Sequence, residues 1–426
     1  MQFKEEFLHF IWKFRLYNSR ALQCEPGGQL QIIKPGLLNT NAGPDFMDAR
    51  LRIDETIWVG HVEIHLRSSD WLLHYHQDDP AYDNVILHVV YENDIPIYRK
   101  NGCEIPVLVL KGMFDETLLH NYTALLTAAN HFPCEKQLRE VDSFIVNSFL
   151  SRQLVERLEL KTAAIYQQLE SYKGDWEKTF YYFLSRSFGF KVNATPFELL
   201  ATSLDLQLLK KYQSNPLQVE ALIFGQAGFL NSDFEAAYPA SLKKEYNFLK
   251  QKHQLFPVEA SLWKFLRMRP QNFPTLRLAQ YTALLLKHPN LFTRVLEISD
   301  FKDYYTLFQQ LPIHQYWEDH YHFNKITSRV RIQIGKSSIE NILINTICVF
   351  LYVYGKYTDQ EKFMDKAFDL LNFLPPEKNS IVEKYKFAGI QLESAFLSQA
   401  VLQLNKIYCS QKKCLNCNIG IKILNK

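Results

Sequence analysis

The chain has 426 residues, 47% hydrophobic and 14% aromatic, with a formal net charge of +3. Its length points to two or three domains, and its apolar content is ample for large buried cores. Charge so near balance argues against a strongly basic nucleic-acid coat protein, but it leaves room for a local basic groove.

The first residues are charged and amphipathic, without the apolar run of a signal peptide. Phe3, Phe7, Phe10, Ile11 and Phe14 recur at helical spacing, so a helix is predicted over residues 3–17, with Glu5 and Glu6 favouring its first turn. Gly/Pro punctuation follows at 25–28 and 35–36 around a short strand at 30–33, and 41–44 reads as a turn. Residues 49–53 alternate apolar and charged side chains, the period of a strand. Residues 54–56 turn the chain back into a second strand at 57–67. Residues 85–91 are apolar on both faces, as in a central strand, and 104–111 give one more. Beyond residue 114 the pattern becomes helical, over 143–172, 175–187, 196–212, 216–230, 240–254, 258–266, 274–287, 338–354 and 380–408. Prolines 196, 216 and 274 suit helix first turns. The expected architecture is α+β: a mixed α/β domain over 1–125, a large all-helical domain over 126–408, and a cysteine-containing tail over 409–426. The longest apolar stretch, 342–354, is broken by Asn345 and Thr346 and is short of the roughly 20 residues that span a bilayer. A soluble cytoplasmic protein without a membrane partner is therefore expected.

Residues 41–91 hold five of the thirteen histidines (His61, His65, His74, His76, His88) with many carboxylates, and no lysine lies between Lys34 and Lys100. In a strand over 60–67, His61, Glu63, His65 and Arg67 share one face. That face meets solvent, a ligand or a metal; alternatively it is a half-exposed sheet face with satisfied polar groups. Asp45, just ahead of the preceding strand, is placed to approach Glu63. Two carboxylates on neighbouring strands can share a divalent cation, which acidifies a bound water and clamps a phosphate.

Pro44-Asp45 before a hairpin, followed by Glu63-Ile64-His65 on the next strand, resembles the PD-(D/E)XK nuclease superfamily. The resemblance implies a restriction-endonuclease-like sheet and Mg²⁺ or Mn²⁺ held by Asp45 and Glu63. It also implies water activation at position 65, and Glu5 or Glu6 as a helical glutamate. His65 departs from the pattern: the family's lysine is a permanent cation, whereas a neutral imidazole accepts a proton or binds metal. His74-Tyr75-His76-Gln77-Asp78-Asp79 is similar to the HxHxDH run of metallo-hydrolases, with Asp79 where a histidine would stand; it reads better as a loop shaping the first site. His88, within an apolar strand, is expected to be buried and hydrogen-bonded.

Cys409, Cys414 and Cys417 are spaced C-x4-C-x2-C, one ligand short of a closed tetrahedral site. Zn²⁺ or an iron–sulfur cluster would take a fourth ligand from Cys134 or Cys24; otherwise these are free thiols. An odd total of seven cysteines fits reduced thiols or a metal better than a disulfide framework. Arg267, Arg269 and Arg277 are candidates for phosphate contacts or for holding acidic helix ends.

The runs NAGPDF, GHVEIHLRSSDW, EALIFGQAGFL, RPQNFPTLRLAQ and CLNCNIG together resemble an uncharacterised bacterial family, domain of unknown function 2851. That resemblance implies one bacterial cytosolic protein and no activity. The leading expectation is a metal-dependent nucleic-acid phosphodiesterase with Asp45, Glu63 and His65 at its centre. The alternatives are a non-catalytic protein- or nucleic-acid-binding protein on a degenerate nuclease fold, and a hydrolase of another substrate built on the histidines.

Overall fold

A computed structural model describes residues 3–20 and 22–425. The chain is α+β and divides into two compact units. One comprises Met1–Phe149, Lys384–Ile390 and Leu404–Lys426; the other comprises Leu150–Glu383 and Gln391–Gln403.

The first unit is built on a mixed sheet. Strands β1 (Leu30–Lys34), β2 (Leu37–Leu38), β3 (Phe46–Ile53), β4 (Thr56–Arg67), β5 (Val85–Glu92) and β6 (Val107–Val109) lie in the order β1-β3-β4-β5-β6, with β2 also on β3. The β1–β3–β4 part is antiparallel; β4, β5 and β6 run parallel. Flanked on both sides, β5 has Val85 to Val90 all buried, which explains why it is apolar on both faces apart from His88. β6 is shorter than the apolar stretch at 104–111 suggested. Gly60 is required in β4, because a Cβ there would stand 2.5 Å from both the Asn84 carbonyl and Ile86 Cγ2 of the incoming chain.

Helix α1 (Glu5–Lys13) buries Phe7, Leu8, Phe10, Ile11 and Trp12. It ends earlier than the apolar spacing suggests because Arg15 turns left-handed, at φ 52°. Trp12 Nε1 donates to the Pro35 carbonyl at 3.0 Å, and Phe7 stacks on Tyr122 of α3 (Glu116–Thr127). The link from β4 to β5 is residues 68–84, containing α2 (Asp70–Leu73) and two 3-10 turns. Trp71 of this link is buried with Val85, Ile97 and Ile105, and Tyr82 packs on them.

The second unit is helical, apart from a small ribbon of His320–His322 and Lys325–Ile326. Three expected helices differ. The run 196–212 breaks in two at Asp205, whose carboxylate accepts the Gln207 N–H and starts a new helix. Residues 258–266 hold only a 3-10 turn, because Val258 N–H donates to Gln226 O and Trp263 Nε1 to Ala227 O, pinning the segment to a neighbouring helix end. The run 380–408 breaks after Phe387, with Gly389 at φ 107°, and resumes at Ala395–Gln403 before a π-helical turn, Leu404–Cys409. Lys336–Tyr357 is one helical run with a π segment at Leu343–Ile347. By length and composition it could cross a membrane, and 72% of its most apolar window is buried within the structure. Arg277 is buried, bonded to the neutral groups of Gln280, Asn272 and Ser338 and stacked over Phe190, so its side chain is engaged within the fold.

Candidate functional site

The polar face of β4 is covered at its middle, with His61 half-buried and Arg67 exposed at either side. The link 68–84 folds over it, leaving Glu63 and His65 buried. Asp45, set by the Gly43-Pro44 bend, faces Glu63 through reciprocal backbone bonds. The Asp45 N–H donates to Glu63 Oε2 and the Ile64 N–H to Asp45 Oδ2, both at 3.0 Å. Helix α1 brings a third carboxylate and a histidine. His9 Nε2 lies 3.1 Å from Asp45 Oδ2, and Glu5, one turn earlier on the same helix face, is close enough for the Asp45 and Glu63 charges to act on it. Glu6, the other candidate on this helix, is exposed.

The second carboxylate oxygen of Glu63 turns toward the histidines. Oε1 is 3.3 Å from His76 Nε2 and 3.6 Å from His65 Nε2. His65 Nε2 is also 3.1 Å from His74 Nδ1, and His65 Nδ1 is 2.8 Å from His88 Nε2. One ring nitrogen from each of His65, His74 and His76 lies within 4.8 Å of the others. His74 ends α2 and His76 begins the next turn; Tyr75 between them is left-handed at φ 59°, which lets both rings point inward. Tyr82 stacks on His76 with centroids 3.8 Å apart, and Trp71 packs against His76 and His88.

Electrostatics follow from burial and crowding. Burial, then the Asp45 charge, raises the Glu63 carboxyl to about 8 and the Glu5 carboxyl to about 7. Burial alone would lower His9, but its hydrogen bond to Asp45 and that carboxylate's charge win, so it is raised. Burial and neighbouring histidines push His65 down to about 2 and His88 to about 3. His65 is therefore neutral and cannot supply the positive charge of the family's lysine.

Asp45, Glu63 and His65, singled out in the sequence, come together here. His74 and His76 go further than shaping the site, since their rings form part of it. His88 is buried and hydrogen-bonded as expected. His9 was missed; its only signal is its place four residues after Glu5 on an amphipathic helix.

Beside His9 opens a cavity of about 220 Å³, lined among others by Lys13, Asn39, Lys412, Lys413 and Asn416. The last three come from the cysteine segment. Cys134, Cys414 and Cys417 are buried and Cys409 half-buried, all as free thiols. Burial and one another's charge raise the thiols, Cys409 and Cys414 to about 12; burial raises Cys417 to about 11. Backbone N–H groups of Ile419 and Gly420 offset part of this at Cys417 by hydrogen-bonding its sulfur. Tyr385, stacked on Phe132 at 4.1 Å, hydrogen-bonds Cys409. Of the two candidate fourth thiols, Cys134 joins this group. Cys24 Sγ instead points to the Gly27 and Gly28 carbonyls, at 3.7 and 3.6 Å.

A family model described as "Protein of unknown function (DUF2851)" matches residues 5–380, which include every carboxylate and histidine above but not Cys409, Cys414 or Cys417. No curated protein and no solved structure matches the chain.

Proposed function

Because the chain belongs to the DUF2851 family, whose description carries no activity, we propose from the site alone that it is a metal-dependent phosphodiester hydrolase acting on nucleic acid. The observation that carries this reading is the convergence of Glu5, Asp45 and Glu63 from a helix, a turn and a strand onto one partly buried spot. Burial and the Asp45 charge raise the proton affinity of Glu5 and Glu63, the signature of a site short of positive charge. Asp45 and Glu63 would hold Mg²⁺ or Mn²⁺, with Glu5 facing them. Such a cation supplies charge for a phosphoryl oxygen and acidifies water. His9, held by Asp45, is the proton-carrying group on the cavity side. His65 serves as a ligand or positioning group, since so depressed a histidine is a poor base. Lys13, Lys413, Asn39 and Asn416 beside His9 suit phosphate oxygens.

The competing reading is a non-catalytic nucleic-acid binder. It rests on the backbone and histidine bonds that already engage Asp45 and Glu63. Incubating the purified chain with Mn²⁺ or Mg²⁺ and labelled single- and double-stranded DNA and RNA separates the two. Cleavage lost in Asp45→Asn supports the hydrolase. Binding without cleavage, or cleavage unchanged in the variant, removes it.

The thiol group of Cys134, Cys409, Cys414 and Cys417 is proposed to hold Zn²⁺ or an iron–sulfur cluster. Four thiols from two distant stretches of the chain, Cys134 and the 409–417 segment, with N–H groups aimed at Cys417 sulfur, support this. Its role would be to fix the loop that carries Lys412 and Lys413 to the cavity.

A further inference from the structure

The geometry points to a second, nitrogen-rich metal site on the far side of Glu63: His65 Nε2, His74 Nδ1, His76 Nε2 and Glu63 Oε1 together hold one Zn²⁺-class ion. It shares Glu63 with the proposed hydrolytic centre, but its existence does not depend on hydrolysis.

The distances carry the argument. Bonds of about 2.0–2.1 Å in a tetrahedron require ligand atoms about 3.3 Å apart. The observed separations are 3.1 Å for His65 to His74, 3.3 Å for His76 to Glu63 and 3.6 Å for His65 to Glu63. One ring nitrogen from each of the three histidines lies within 4.8 Å of the others, and Glu63 Oε1 approaches this set from the side of His65 and His76. Hydrogen bonds alone account poorly for this packing, because a neutral imidazole has one N–H to give and His65 Nε2 faces both an imidazole and a carboxylate. A cation among the four lone pairs satisfies all of them.

The surroundings fit the same assignment. If His65 donates its Nδ1–H to His88 Nε2 at 2.8 Å, the tautomer is fixed and Nε2 is left as a lone pair toward the ion. The left-handed Tyr75 places His74 and His76 on the same side, and Tyr82 holds the His76 ring flat. Three imidazoles and a carboxylate match Zn²⁺ in preference to Mg²⁺, which favours oxygen ligands. His65 and Glu63 are buried while His74 is exposed, so ions enter from the His74 side. Glu63 then spans two ions, Oε1 toward the histidines and Oε2 toward Asp45. The nitrogen-held ion thereby anchors the link 68–84 and orients the carboxylate for the other centre.

Co²⁺ titration of chelator-stripped full-length protein tests this, because imidazole–oxygen sites give visible absorption without the near-ultraviolet thiolate charge transfer of a cysteine site. One equivalent of such Co²⁺ is expected in the wild type and in Asp45→Asn. It should be lost in His74→Ala/His76→Ala and bound at least tenfold more weakly in His74→Gln, whose exposed position spares the fold. Equal Co²⁺ uptake and spectra in the wild type and both histidine variants would overturn the site. Loss of the band in these variants together with absent nuclease activity in the wild type would leave the site standing and remove only the hydrolase reading.

Discussion

Asp45 and Glu63 are cross-linked through each other's backbone: the Asp45 amide donates to Glu63 Oε2 and the amide following Glu63 donates to Asp45 Oδ2. Neither carboxylate can shift without loosening the other, so the two act as one rigid unit. Glu63→Gln keeps an acceptor for the Asp45 N–H and removes the charge. Cleavage of nucleic acid should fall by on the order of 10²-fold or more, with a melting temperature close to wild type. A Gln variant with wild-type turnover would show that the Glu63 charge is not used.

The raised carboxyls give a pH dependence whose sign can be worked out. Glu5 and Glu63 move from an ordinary 4.5 to about 7 and about 8 in the folded protein. Each binds its proton more tightly when folded, so its stabilising contribution is complete below 4.5 and lost as pH rises through 7 and 8. Metal-free wild type should therefore lose melting temperature between about pH 5 and pH 9 more steeply than Glu63→Gln. Mn²⁺ should reverse part of that loss at the upper end. Parallel curves for the two proteins would contradict this crowding of Glu63.

Trp71 covers His76 and His88 and belongs to the small core under the link 68–84. Trp71→Ala should cost about 3–5 kcal/mol in urea unfolding, the usual range for a buried aromatic. It should also bring diethylpyrocarbonate within reach of His65 and His88, which are buried in the intact protein. Unchanged histidine reactivity would mean the link shields nothing.

Gly60→Ala forces a Cβ to within 2.5 Å of the Asn84 carbonyl, a backbone atom with little room to yield. A loss of about 1–3 kcal/mol is expected, read by denaturant midpoint. A neutral substitution would show that β4 and β5 pair less closely at this end.

For the cysteine group, elemental analysis should find zinc or iron in the purified protein and less of it in Cys414→Ser. Nucleic-acid binding should weaken in parallel as the Lys412–Lys413 loop loosens. Absence of both metals from freshly purified protein, with all seven thiols titratable after unfolding, would end that proposal.

Much of the site was legible because strands write their faces plainly. Glu63 and His65 alternate with Val62 and Ile64, and Pro44-Asp45 marks a bend just before a strand. What stayed hidden depended on the third dimension. The connection from β4 to a parallel neighbour must cross one sheet face, and which face decides that Glu63 and His65 are buried; no local pattern records it. His9 was hidden because a polar residue on an amphipathic helix is ordinary. In the helical part, 258–266 has helical composition but gives its Val258 N–H to the Gln226 carbonyl and its Trp263 indole N–H to the Ala227 carbonyl, a tertiary preference that outweighs propensity. The break after Phe387 follows from Gly389 and from Arg139 donating to the Phe387 carbonyl, a partner 248 positions away.

The first unit is assembled from both ends of the chain, since Leu404–Lys426 belongs with Met1–Phe149. During synthesis the ribosome delivers the sheet and its carboxylates early, then makes more than half the polypeptide before Cys409, Cys414 and Cys417 emerge. Until then Cys134 lacks these three thiols, and the cavity wall beside His9 has Lys13 but lacks Lys412 and Lys413. The cavity wall beside His9 is thereby completed only once residues 412–416 have been made.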